Sequence, residues 1–333
     1  MKSLQRIMQG IAVFALTVSA AQAARHPAQN PDVIYGDDNR LDVHQVQDPA
    51  WKQIAASTAA LFRSSSVSVS GNTAQLATRP LGPRLQLCEE EPFYNQGAGA
   101  FCSASLVAPD LVMTAGHCVA PPRAGITIEE MCDNTTIVFD FAVRDSSGAS
   151  PSSVPASSVY RCAKVVQHAL DGSSKNDFAL IQLDRPVTDR AALPVNRSGI
   201  APRGTPLVLI GHPSGLPVKV AAGAWVRDDS NPVYLVANTD SYGGNSGSAV
   251  VNGTTGQIEG ILVRGVTDYV PADGRSCMVS NRCADDGCDG ESITRVNMLS
   301  QFIPEGAGEP ALPGQPQPGA GEPGFWEPWR PWP

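Results

Sequence analysis

DSYGGNSGSAV (residues 240–250) sets Ser246 among Gly243, Gly244 and Gly247, immediately ahead of a short apolar run. Glycine reaches backbone angles closed to other residues and lets a second group approach the main chain. A plain tight turn satisfies that description, and so does a turn built to present the serine. A serine hydroxyl is a weak nucleophile near neutral pH, so the second reading requires a base and a group that orients the base. Upstream, CSASLVAPDLVMTAGHCV (102–119) carries His117 after a run of small residues, and KNDFALIQLDRPV (175–187) opens an apolar strand with Asp177. Taken singly, a histidine after a turn and an acid before a strand are ordinary structural residues. The chain order His117, Asp177, Ser246, each in its own distinctive context, points to nucleophilic catalysis.

The remainder of the chain agrees with a β-rich, exported protein. TTIVFDFAV (135–143), VYRCAKVVQ (159–167), DFALIQL (177–183), TPLVLIG (205–211), PVYLVANT (232–239), SAVVN (248–252) and IEGILVRGV (258–266) are rich in β-branched and aliphatic residues. Gly, Pro, Asn and Asp punctuate them, the pattern of an antiparallel barrel or sandwich. Residues 49–62 are expected to form a short helix and 294–303 a terminal one. The Ser/Ala/Pro stretch 145–158 has nothing to bury and reads as a mobile, easily nicked loop.

Lys2 and Arg6, an apolar run from Ile11 to Val18 and Ala21-Gln22-Ala23 have the layout of a secretory signal peptide over residues 1–23. That run is too short to span a bilayer, so no membrane span is expected, and the protein is expected to be secreted or periplasmic. The eight cysteines, an even number, suggest four disulfides in an oxidising compartment. No C-x-x-C pair occurs and the five histidines are scattered, so neither a metal nor another cofactor is expected. A net charge of −8 without a basic run argues against nucleic acid as a partner and leaves protein or peptide substrates.

Residues 24–50 form an N-terminal arm or a removable propeptide, and 51–303 form the folded body. From Pro304 to Pro333 there are nine prolines and six glycines, with Trp326, Trp329 and Trp332 at the end. This composition predicts an unstructured tail. Its exposed aromatics also allow a docking role toward a surface or partner.

TAGHC, NDFAL and GGNSGSAV resemble the three active-site segments of the chymotrypsin-fold (trypsin-like) serine proteases, in the bacterial branch that includes the glutamyl endopeptidases. The resemblance runs over roughly residues 50–303. It implies an all-β fold of two six-stranded antiparallel β-barrels with a short C-terminal helix and an active site between the barrels. It implies His117 as general base and acid, Asp177 as its orienting partner and Ser246 as the acylating nucleophile. The backbone N–H groups of Gly244 and Ser246 would form the oxyanion hole, where one lost donor costs about 3–4 kcal/mol. The resemblance also pairs Cys102 with Cys118 across the histidine loop. Cys132 and Cys162 flank a strand–loop–strand segment and would clip it. Cys88, Cys277, Cys283 and Cys288 then have three possible pairings.

Asn245 stands where trypsins carry the aspartate that receives a new N-terminal ammonium; uncharged, it cannot form that ion pair, so the resemblance does not extend to that activation switch. Asp240, six residues before Ser246, occupies the place of the acid in trypsin-like specificity pockets, with Leu262, Val263 and Gly265 as expected substrate-binding neighbours. This favours Arg or Lys before the scissile bond. A Glu/Asp-preferring enzyme is the alternative: its usual histidine is absent from GILVRG (260–265), although Arg264 offers another cation. A non-catalytic binding protein on the same scaffold is the rival from a different class.

Overall fold

The computed structural model describes residues 33–265 and 267–306. The expected leader and all but the first residues of the Pro/Gly/Trp-rich tail lie outside them.

Six antiparallel strands close the first barrel. Around the ring they run Thr135–Val138, Val159–Leu170, Asp177–Leu183, Leu111–Thr114, Cys102–Ala108 and Thr58–Arg63, which returns to the first. The second ring runs Pro206–Gly211, Ala249–Asn252, Ile258–Arg264, Glu291–Arg295, Tyr234–Ala237 and Lys219–Asp228. It closes where Lys219–Asp228 pairs back with Pro206–Gly211. The expected two-barrel, all-β architecture is therefore present, with the short helix Asn297–Ser300 near the end of the described chain. Apolar strands such as DFALIQL are buried along nearly their whole length, because alternate side chains fill the barrel interior while helices Gly116–Val119 and Asn297–Ser300 pack against the same strand.

Local reading of the sequence misjudged three segments. Asp48 caps a helix at Pro49–Ala56 by accepting from Ala50 N, but Thr58–Arg63, the second half of the expected helix, is a barrel strand. TAALFR suits either state by local preference, and pairing with both Thr135–Val138 and Cys102–Ala108 decides it. In 294–303, Thr294 and Arg295 finish a strand, held by pairing to Tyr234 and Ile261, before the helix begins. The 145–158 stretch is also more structured than expected. Ser153–Pro155 pairs with Thr73–Leu76, and Val154 packs in a cluster with Phe62, Phe141 and Leu76.

The arm belongs to the second barrel. Arg40–Asp42 adds a strand to the edge of Lys219–Asp228, and Ile34–Tyr35 pairs in parallel with Arg282–Cys283. Beneath it Lys219, fully buried, donates to Asp42 and Gln96 at 2.5 and 2.7 Å. Burial pulls its ammonium down to about 8, with Asp42 resisting.

All eight cysteines are paired. The bonds are Cys88–Cys277, Cys102–Cys118, Cys132–Cys162 and Cys283–Cys288. Cys132–Cys162 ties the helix Ile128–Asp133 to the strand beside it. Closing the 16-residue separation between Cys102 and Cys118 restrains the histidine loop, a constraint worth about 3 kcal/mol in chain entropy.

Candidate active site

Asp177 opens its barrel strand with a side chain only 3% exposed. One carboxylate oxygen accepts from the backbone N of His117 at 3.0 Å, and the other meets His117 Nδ1 at 2.9 Å. The imidazole is thus held at Nδ1, and Nε2 is left for chemistry. His117 sits in the short helix Gly116–Val119, whose first residue accepts through its carbonyl from His168 Nε2 at 3.1 Å. Sequence reading gave His168 no role; only its position on Val159–Leu170 brings it beside the histidine loop. The Arg264 guanidinium lies 3.6 Å from Asp177 and donates to the Lys175 carbonyl.

Ser246 arrives from the other barrel, and Ser103 forms the seam. Ser103 N donates to Ser246 O at 2.8 Å, and its hydroxyl donates to Gly244 O at 2.8 Å while accepting from His212 N. Gly247, at φ +90°, lets the turn lie flat against the first barrel. A Cβ there would fall 2.1 Å from Ser103 O and 2.2 Å from Thr114 Oγ1. That close approach brings the turn within touching distance of Ala115, two residues before His117. Among the described residues, Ser246 Oγ and His117 Nε2 are not hydrogen-bonded, a looseness common before substrate binds.

The N–H groups of Gly244 and Ser246 have no acceptor among the described residues, whereas Asn245 N donates to Tyr242 O and Gly247 N to Leu262 O. Two donors, one on either side of Asn245 N, therefore stand open at the turn. Asn245 is buried and uncharged, its side chain bonded to Ser241 and Ser248, so it braces the turn from inside. Leu262 packs in the core of the second barrel and Val263 in the cluster shared between barrels, with Gly265 also buried. Cys102, His117 and Cys118 hold ligand-type atoms within 4.8 Å of one another, but the two sulfurs are joined in a disulfide, which closes thiolate ligation.

Asp240 lies below this turn, 4% exposed. Its two oxygens accept from Tyr35 N at 2.8 Å and Asn39 N at 2.7 Å, and Ser241 N donates to Val33 O. Burial pushes the carboxyl from 3.8 up to about 7, against the pull of the two amides and Arg40 and with help from nearby Asp38. A raised folded-state value means that the fold holds this proton more tightly than the unfolded chain. The associated stability is complete below pH 3.8 and is lost as pH climbs to about 7. The loss is roughly 4 kcal/mol, or about 10 °C in Tm. In a Ser246→Ala background, thermal unfolding should show Asp240→Asn gaining on the parent by that amount between pH 4 and 8. Parallel curves would show that Asp240 is not carrying the burial cost.

Two closed barrels with a histidine–carboxylate pair on one and a glycine-flanked serine on the other define the chymotrypsin-like class of fold. Residues 102–261 match the family described as "Trypsin-like peptidase domain", a match that supports a serine endopeptidase, a hydrolase. No curated protein matches the chain. Among solved structures it is similar to a Glu endopeptidase in complex with MPD, at 16% identity and TM-score 0.47, over 81% of this chain and 97% of that one. It is also similar to the Vibrio cholerae VesB protease, at 14% identity and TM-score 0.44, over 81% of this chain and 66% of that one.

Proposed function

We propose that this protein is a secreted or periplasmic serine endopeptidase that cleaves through Ser246, His117 and Asp177. His117 Nε2 takes the Ser246 hydroxyl proton as Oγ bonds to the scissile carbonyl carbon. The carbonyl oxygen becomes negative against the N–H groups of Gly244 and Ser246. Collapse breaks the C–N bond while His117 returns the proton to the departing amine, leaving an acyl-enzyme; water then repeats the sequence with His117 again as base. Asp177 keeps the imidazole oriented and stabilises its charged form.

The observation that carries this reading is the seam at Ser103. It brings a serine turn with two unclaimed N–H donors against the loop whose histidine is bonded through Nδ1 to a buried carboxylate. Such an arrangement also weighs against a non-catalytic binding role, since nothing in a mere scaffold requires it. Export rests on the leader-like first 23 residues, outside the described structure, and on four disulfides. Among the described residues no helix is long and apolar enough to cross a membrane. Docking by the tail has no support from the described structure, since that segment lies outside it.

For substrate preference the proposal is Arg or Lys before the scissile bond, resting on the position of Asp240. Its oxygens already accept two arm amides, so a substrate cation would have to use the remaining lone pairs. A Glu-preferring pocket would need a cation, and Arg264 is turned to Asp177 and Lys175. Digestion of a peptide library by the secreted protein, read by mass spectrometry beside Ser246→Ala, tests this. Cuts after Arg or Lys that vanish in the variant are expected; serine-dependent cuts after Glu would overturn the preference and keep the mechanism.

A further inference from the structure

The peptide joining Gly243 to Gly244 has to face one way for the turn to bind an oxyanion. A trans peptide points its C=O and N–H in opposite directions. Turned over, it would set the Gly243 carbonyl, an acceptor, where a donor is needed. Glycines on both sides leave little intrinsic resistance to such a rotation, so whatever holds Gly243 sets the catalytic competence of the turn.

Both polar groups of Gly243 are held from outside the turn. Its carbonyl accepts from Ser214 N at 2.6 Å, and its N–H donates to the Asp268 carboxylate at 3.1 Å. Ser214 adopts φ 52°, ψ 19°, a left-handed conformation costly for a serine. Three contacts keep it there. The Arg84 guanidinium donates to Ser214 O, the Ser214 hydroxyl meets Tyr269 Oη at 3.0 Å, and the next residue, Gly215, accepts through its carbonyl from Gly99 N and Ala100 N. Tyr269 also stacks on Tyr242, the residue before Gly243, with centroids 4.8 Å apart. Arg84 comes from the helix Leu81–Leu85, and Tyr269 from the hairpin Tyr269–Pro271/Met278–Ser280. The Cys88–Cys277 disulfide joins the chain just after that helix to the hairpin.

We propose that Ser214, braced by Arg84 and Tyr269, and Asp268 are positioning residues that lock the Gly243–Gly244 peptide with its N–H toward the oxyanion, and that the Cys88–Cys277 disulfide fastens the two sides of this clamp. The proposal rests on Ser246 as nucleophile but not on any substrate preference. None of the four side chains touches reacting atoms; each acts through Gly243. An exposed backbone bond to Asp268 would contribute little alone. The Ser214 contact, with its strained donor held from three directions, carries most of the effect.

The experiment uses the full-length secreted protein and its Tyr269→Phe, Arg84→Ala, doubly substituted, Asp268→Ala and Asp268→Asn variants. For each, kcat and KM are measured on one cleavable peptide, with the affinity of the matching peptide aldehyde, whose adduct with a serine carries the oxyanion-like oxygen. The double variant is expected to lose about 10- to 100-fold in kcat with KM within twofold, the signature of an interaction made only in the transition state. Aldehyde affinity should fall by the same factor as kcat. Asp268→Asn, which keeps an acceptor, should stay near the parent, while Asp268→Ala falls severalfold. Unchanged kcat and aldehyde affinity in the folded double variant would overturn the clamp, as would a loss confined to KM. Tyr269→Phe removes a single hydroxyl and tests the same point should the double variant not fold. Persistent hydrolysis by Ser246→Ala would instead overturn the serine reading, so the two failures are distinguishable.

Discussion

Ser246→Ala is expected to lower kcat by about a million-fold, leaving KM nearly unchanged. The alanine removes the only atom proposed to bond to the substrate carbonyl, and His117 and Asp177 have no substitute nucleophile to activate. What survives should be the contribution of binding and of the Gly244 and Ser246 N–H donors, which alanine at 246 leaves in place. Ser246 is tied to the other barrel through its backbone carbonyl, which accepts from Ser103 N and which alanine keeps, so the fold loses little and Tm should move by no more than a few degrees. Initial-rate kinetics on a chromogenic peptide, with thermal unfolding of the same samples, measure both. A fall below a hundredfold in a folded variant would refute Ser246 as the nucleophile.

The second largest effect is expected for Asp177→Asn, about ten-thousand-fold in kcat. Asp177 accepts twice from one residue, at His117 N and at His117 Nδ1. An asparagine has one acceptor oxygen and an NH2 group that can only donate. Either the backbone bond breaks and the loop shifts, or Nδ1 faces an NH2 group and must surrender its proton. In the latter case the proton resides on Nε2, the nitrogen that has to accept from Ser246. Arg264, 3.6 Å from the Asp177 carboxylate, loses its counter-charge as well. The same kinetic assay reads the outcome; a loss under tenfold would mean that Asp177 does not orient the base.

The segments carrying these predictions are contiguous and local, which is why they stand out in the linear chain. TAGHC, NDFAL and GGNSGSAV each place a reactive group in a small-residue context that backbone geometry demands. Features built from distant pieces are not legible in the same way. Ser214 is an ordinary serine in HPSG until its N–H is seen on Gly243 O, and its partners Arg84 and Tyr269 lie far away in sequence. Asp240 read as a pocket acid from its distance to Ser246, yet the arm amides that occupy its oxygens come from residues 35 and 39. Local preference also failed at TAALFR, where ring closure between two neighbouring strands outweighed a weak helical tendency.

By itself the sequence determined the strand-rich class, the resemblance to two-barrel serine proteases and the three residues on which the proposed chemistry rests. Each of these is written in short periodic or motif-like stretches whose conformational needs are met by near neighbours. Tertiary structure alone decided the pairing of Cys88 with Cys277 and Cys283 with Cys288, the docking of the 33–42 arm on Asp240, the turning of Arg264 toward Asp177 and the bracing of Gly243. Those contacts join groups that only barrel closure brings within bonding distance, and no local preference encodes which of many possible partners a buried carboxylate, sulfur or amide will meet.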